Sequence, residues 1–291
     1  MPASFEEILS SRIFKFTVGQ KVDGVATTFS VHEEAMAALS QPLHTLMRSG
    51  LSESEAGNAT WEDISKDTFV RFAQFAYTGD YSVPFLVTPS PAPAPEPDLP
   101  VDAVHEREDF RVEELASSNE FATMDDPDWG GFPFKKSVGK KSKKQLIREM
   151  KGLALSAPTP PRNESRGEYE PSSTFEPWMD YSVLFICHAS LWTLGNYRHV
   201  ASLKTLALYK LHKTLCAFQL NSDNVGAVVN LVRCAYLEEG AGLRESISGL
   251  RKLVCQYLGM NKTLLCEDDG FMDLLAEGGQ FVKDFFKYSA T

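Results

Sequence analysis

A chain of 291 residues, 43% hydrophobic and 23% charged, has the make-up of an ordinary soluble protein and is long enough for one large domain or two small ones. A formal net charge of -10 argues against nucleic acid as the main partner of the whole chain, while leaving room for a local basic patch. No run approaches the roughly 18 apolar residues of a membrane span. Residues 1–8, M-P-A-S-F-E-E-I, lack the basic-then-apolar order of a secretory leader.

In chain order, residues 5–9 predict a short helical piece. Phe14, Phe16 and Val18 alternate with Lys15 and Thr17, so a strand with one apolar face is expected. Residues 19–24 hold a turn, and residues 27–31 return. His32 starts a helix, with Glu33 and Glu34 at its positive N-terminal end and Met36 and Leu39 toward the core. Pro42 suits the first turn of a second helix, which Gly50 ends. An acidic loop, L-S-E-S-E-A-G-N, leads to a strand at residues 60–64. Ser65 caps the next helix, with Asp67 in its first turn. Phe69, Phe72, Ala73 and Ala76 form its apolar stripe, Val70 and Tyr77 widen it, and Phe75 implies packing on a second face. Thr78-Gly79-Asp80 ends it.

The stretches V-H-E-E-A-M-A-A-L-S-Q-P-L-H-T-L-M and W-E-D-I-S-K-D-T-F-V-R-F-A-Q-F-A-Y-T-G-D-Y, in this order after a hairpin, resemble a BTB/POZ domain over residues 12–84. One departure stands at the first strand, where many members of that family carry an Asp just ahead of it and this chain has Ser10-Ser11-Arg12-Ile13.

After Tyr81 the composition changes. Seven prolines between Pro84 and Pro100 favour extended polyproline segments. An acidic stretch around residues 106–128 and a basic run at residues 135–151 follow, so residues 85–178 read as a mostly disordered insertion. Lys135, Lys136, Lys140, Lys141, Lys143 and Lys144 have the density that nuclear import receptors bind. A solvated charge run and nucleic-acid contact are the other readings, the last disfavoured because no aromatic residue interleaves the lysines. Thr88, Ser90 and Thr159, each before a proline, fit proline-directed phosphorylation.

From Asp180 the chain reads as helical. One helix is apolar nearly all round, and the next carries Val200, Leu203, Ala207, Leu211, Leu215 and Phe218 at steps of three and four. This pair is similar to the helices that close a BTB domain, particularly the fungal form. The expected fold is therefore α+β: a BTB/POZ fold, a small sheet with a helical cluster, in residues 1–84 and 179–220, split by the insertion. A helical extension fills residues 221–291. There Ser222 caps a helix carrying Val225, Val228, Val232 and Tyr236. Leu243, Ile247, Leu250, Val254 and Leu258 line another, and residues 271–276 and 281–288 end the chain.

Chemistry is sparse. H-E-E-A-M at His32 lacks the second histidine of a zinc-protease motif. His212 and Cys216 supply only two of the four ligands of a structural metal site. Cys187 and His188 are helix neighbours that point in different directions. No phosphate-binding glycine loop or nucleophile elbow occurs. The five cysteines, Cys187, Cys216, Cys234, Cys255 and Cys266, are odd in number and widely spaced, which suits reduced thiols in the nucleus or cytoplasm. No catalytic residue, metal or cofactor is expected.

The resemblance implies a protein-interaction module. One form is an adaptor recruiting a cullin to a ubiquitin ligase; the other is a nuclear oligomerising scaffold without a ligase role. BTB domains commonly form homodimers through the N-terminal helix and the first helix after the hairpin, which implies an interface at Ile8, Leu9 and Met36. BTB adaptors place a hydrophobic-x-Glu motif against the cullin after the second helix of the pair. Here that motif is Leu51-Ser52-Glu53, with adjoining contact from Leu46 and Met47.

Overall fold

The computed structural model describes residues 4–22, 25–84, 169–177, 179–237 and 247–288. Helix α1 (Phe5–Ser10) opens with a capping box: Ser4 accepts from the Glu7 N–H, and the Glu7 carboxylate accepts from the Ser4 N–H. Strands β1 (Ile13–Val22) and β2 (Val25–His32) pair antiparallel, with Phe14 opposite Val31 and Phe16 opposite Phe29. Strand β3 (Asn58–Trp61) runs parallel along the other edge of β1, giving the order β2-β1-β3. Alternation drives Phe14, Phe16 and Val18 into the core, as expected. The expected turn at residues 19–24 is shorter, because β1 continues through Gly19. That residue's φ of +78° allows the register break between Val18 and Val22.

Helices α2 (Glu33–Ala37) and α3 (Gln41–Arg48) follow, the second capped by Ser40 with proline in its first turn. The acidic stretch expected as a loop is helix α4 (Ser52–Ala56), closed by Gly57 at φ +65°. The strand expected at residues 60–64 starts earlier, because Ala59 and Trp61 are the residues that face the core beside Phe16 and Val18. Helix α5 (Lys66–Thr78) is capped by Ser65 and stopped by Gly79 at φ +79°. Phe69, Phe72 and Ala76 are buried on its inner face, and Phe75 on a second one. Val70 is exposed, so it does not widen the stripe. Rings of Phe16, Trp61 and Phe69 meet at centroid distances of 4.6–5.9 Å and join sheet to helix.

Helices α6 (Tyr181–Tyr197) and α7 (Ala201–Ala217) pack on each other, and α6 also meets α5. All six periodic residues of the α7 pattern are buried. Gly195 sits where the pair closes. A Cβ there would come within 3.3 Å of Lys204 Cγ, Lys204 N and the Val200 carbonyl. A 3-10 turn (Ser222–Asn224) is capped by Asn221 rather than Ser222, because the Asn221 side chain accepts from Asp223 and Asn224. Then come α8 (Val225–Leu237), α9 (Gly249–Met260), α10 (Lys262–Leu265), α11 (Asp269–Ala276) and α12 (Gly279–Tyr288). Ile247 precedes α9, and Leu243 lies outside the described residues. The fold is α+β, and one core runs from Ile8 to Phe285.

Residues 85–168 lie outside the described residues, and with them Thr88, Ser90, Thr159 and the whole lysine run. Residues 169–177, expected inside the insertion, lie instead against the closing helices. Phe175 stacks on Tyr181 at 5.3 Å and meets Phe218 at 5.9 Å. The Glu176 N–H donates to Tyr181 Oη at 3.0 Å.

Candidate protein-interaction surface

The register of the hairpin sets the site. Ile13 pairs with His32, so Arg12, just before β1, stands beside Glu33, just after β2. Arg12 Nε donates to Glu33 Oε2 at 2.7 Å, and its two terminal nitrogens donate to the Ser54 carbonyl at 3.0 Å and the Met47 carbonyl at 3.1 Å. One guanidinium thus ties together the start of β1, the C-terminal turn of α3 and α4. Gly50, at φ +73°, makes the turn between those helices, and its N–H donates to Ser54 Oγ at 3.3 Å. Leu51 sits at the top of this braced turn, 61% exposed. Ser52 and Glu53 follow it, both exposed, with Ser52 Oγ donating to Glu53 Oε2 at 3.0 Å.

Around the turn the charges alternate. Glu33 is buried between two guanidiniums, with Arg48 Nε at 2.7 Å from its other oxygen, and Arg48 also pairs with Glu34. Burial by itself would raise the Glu33 carboxyl, but hydrogen bonds from Arg48 and Arg12 hold it below the usual carboxylate range. The Arg12–Glu33–Arg48 chain is not singled out by the sequence pattern. The signal that finds it is the hairpin register, which brings position 12 beside position 33.

Of the residues expected at this surface, Leu51, Ser52 and Glu53 stand exposed together and Leu46 is half-buried. Met47 is fully buried and has no outward face, because it is the α3 residue that closes on the core. Ile8 and Met36, which the resemblance placed at a dimer interface, belong to the chain's own core, and for Met36 this is the direction that the helix pattern gave. Leu9 is exposed as expected, at 54%. Phe5 at 60% and Ile13 at 47% are exposed too, on α1 and at the start of β1.

A second cluster is buried where α5 leads out of the core. Lys210 of α7 donates to Asp80 Oδ1 at 2.5 Å, to the Tyr81 carbonyl at 2.8 Å and to the Tyr169 carbonyl at 2.9 Å. All three ammonium protons therefore have acceptors. Burial lowers the Lys210 pKa, opposed by the Asp80 bond. Tyr81 Oη lies 2.8 Å from His188 Nδ1, and His188 Nε2 lies 3.5 Å from Thr214 Oγ1, whose hydroxyl donates to the Lys210 carbonyl. Burial, then the Lys210 charge, pushes His188 down to about 3, so the ring is neutral; with Nε2–H directed at Thr214, Nδ1 accepts the hydrogen bond that the Tyr81 hydroxyl donates. Burial pushes Cys187 up to about 11, which keeps it a thiol rather than a nucleophilic thiolate. The other pair, His212 and Cys216, lies 3.6 Å apart. Among the described residues no group of three or more His, Cys, Asp or Glu is placed to hold a metal ion, and no helix is long and apolar enough to cross a membrane.

No protein-family model matches the chain, and no curated protein and no solved structure matches it.

Proposed function

We propose that this chain is a protein-interaction module of the BTB/POZ type, and that Leu51 is its anchor for a cullin. The order of hairpin, helix pair, third strand, central helix and closing helices supports the module. The observation that carries the anchor is the exposed Leu51, held on a turn by Arg12 and followed at the second position by an exposed Glu53. A leucine on a preformed turn loses little freedom on binding, so most of its burial counts toward affinity. A buried apolar anchor contributes about 2 kcal/mol or more, and a rim carboxylate less. Leu51→Asp abolishes cullin binding and leaves the thermal midpoint unchanged, because the new charge would have to be desolvated in an apolar groove. Glu53→Ala weakens it more mildly. Calorimetry of the wild-type chain with a cullin decides: absence of heat at high micromolar concentration refutes the adaptor reading.

The exposed Phe5, Leu9 and Ile13 favour a second role, a homodimer or scaffold surface. Three large apolar side chains on one N-terminal stretch are the kind of patch that a two-fold partner covers. Nuclear import through Lys135, Lys136, Lys140, Lys141, Lys143 and Lys144 belongs to the same proposal.

A further inference from the structure

A cavity of about 460 Å³ opens between the exit of α5, the segment that returns at Tyr169, and the α6–α7 pair. Val83, Pro171, Met179, Leu184 and the ring of Tyr181 make its apolar walls, and Glu176 stands among them. Volume and lining are those of a small-molecule site: an apolar body with few polar groups.

The two acids at this place differ. Glu170 is engaged, its carboxylate accepting from Tyr209 Oη at 2.6 Å and pairing with Lys213. Hydrogen bonds from Lys213 and Tyr209 hold it below the usual range against the opposing effect of burial. The carboxylate of the half-buried Glu176 has no ion-pair partner and accepts no hydrogen bond among the described residues; its bonds are those of its backbone, whose N–H donates to Tyr181 Oη and whose carbonyl accepts from the Met179 N–H at 3.1 Å. The bond to Tyr181 uses the phenol oxygen as acceptor and leaves the phenol proton to donate. A carboxylate set among apolar walls is partly shielded from water, and a cation that reaches it is held more strongly than at an open surface.

We propose that this cavity binds a small organic cation, an apolar ring or chain carrying one protonated amine. The amine lies against Glu176, and the apolar body fills the space between Met179, Tyr181 and Leu184.

The test uses the full chain with carbon-labelled methionine methyls and two probes of equal shape, phenylpropylamine and the neutral phenylpropanol. The Met179 methyl resonance reports occupancy. The amine shifts it saturably and binds about tenfold more tightly than the alcohol, the worth of one charge-assisted hydrogen bond. Glu176→Gln lowers the amine to the affinity of the alcohol without moving the thermal midpoint. Ala217→Phe, which adds a ring to the cavity wall, removes both. Equal affinities for the two probes, an amine affinity unmoved by Glu176→Gln, or a Met179 resonance that neither probe shifts overturns the proposal.

Discussion

At the scale of single residues, two buried polar groups govern stability. Glu33 holds Arg12 and Arg48 together beneath the Leu51 turn. Glu33→Gln keeps the shape but loses the charge that both guanidiniums face. Both arginines are partly exposed, so water replaces some of what is lost and the cost is about 1–2 kcal/mol in urea denaturation. His188 acts through protonation. Its folded pKa of about 3 lies below the ordinary 6.5, so in that window the unfolded chain binds the extra proton. Stability is complete above pH 6.5 and falls, by up to about 1.4 kcal/mol per pH unit, as pH drops toward the folded value. Glu33 adds its own loss only lower, as pH falls from the ordinary carboxylate value through its depressed folded one. Denaturation midpoints at a series of pH values separate the two: His188→Gln flattens the slope between pH 6.5 and pH 5.5, where carboxylates titrate little, and Glu33→Gln changes it mainly below pH 5.

At the scale of elements, α1 presents its apolar side outward. Ile8 fastens it to the core, leaving Phe5 and Leu9 in solvent. Phe5→Ser with Leu9→Ser keeps Ile8 and the capping box, so the fold survives. Light scattering at tens of micromolar then reads a dimer for the wild type and a monomer for the double variant; a wild-type monomer removes the self-association surface. Much of this level was legible in the sequence. The period-two alternation of Phe14, Phe16 and Val18 and the three-and-four spacing from Val200 to Phe218 leave one face to bury, and those faces are buried. Short elements were not legible. Helices α4 and α10 are single turns, too short to show a period, and end by local capping alone. Nor does the sequence show that Ile8 and Met47 point inward, and for Met36 the helix pattern points to the core while the family resemblance points to an interface. A helix of five to eight residues shows its apolar side but not which neighbour covers it. The candidate surface shares this division: Leu51-Ser52-Glu53 is readable as a motif, whereas the Arg12 brace depends on pairing across the hairpin.

At the scale of the whole molecule, the two parts of the chain on either side of residues 85–168 share one core. The last stretch before α6 belongs to that core as well. Phe175 packs on Tyr181 and Phe218, and Glu170 pairs with Lys213. Replacing residues 86–168 with a short Gly/Ser linker therefore leaves one cooperative transition, within about 1 kcal/mol of the wild type, since a shorter loop closes slightly more easily. Extending the deletion to residue 176 removes the Phe175 and Glu170 contacts and costs about 2–4 kcal/mol. Parallel urea melts compare the two deletions, and equal midpoints would place residues 169–176 outside the cooperative unit.

The Lys210 ammonium has a consequence for how such a chain changes over time. It grips Asp80 and Tyr81 on the outgoing side and Tyr169 on the returning side, so both ends of the interval are moored at one buried point. What the described core requires of a segment joining them is that its ends meet that separation. Doubling the strung length adds only about 0.6 kcal/mol of closure entropy. The position is therefore expected to tolerate replacement of one joining segment by another of different length while the described core stays fixed. A folded guest whose own termini lie close together is accommodated there on the same terms as a plain tether.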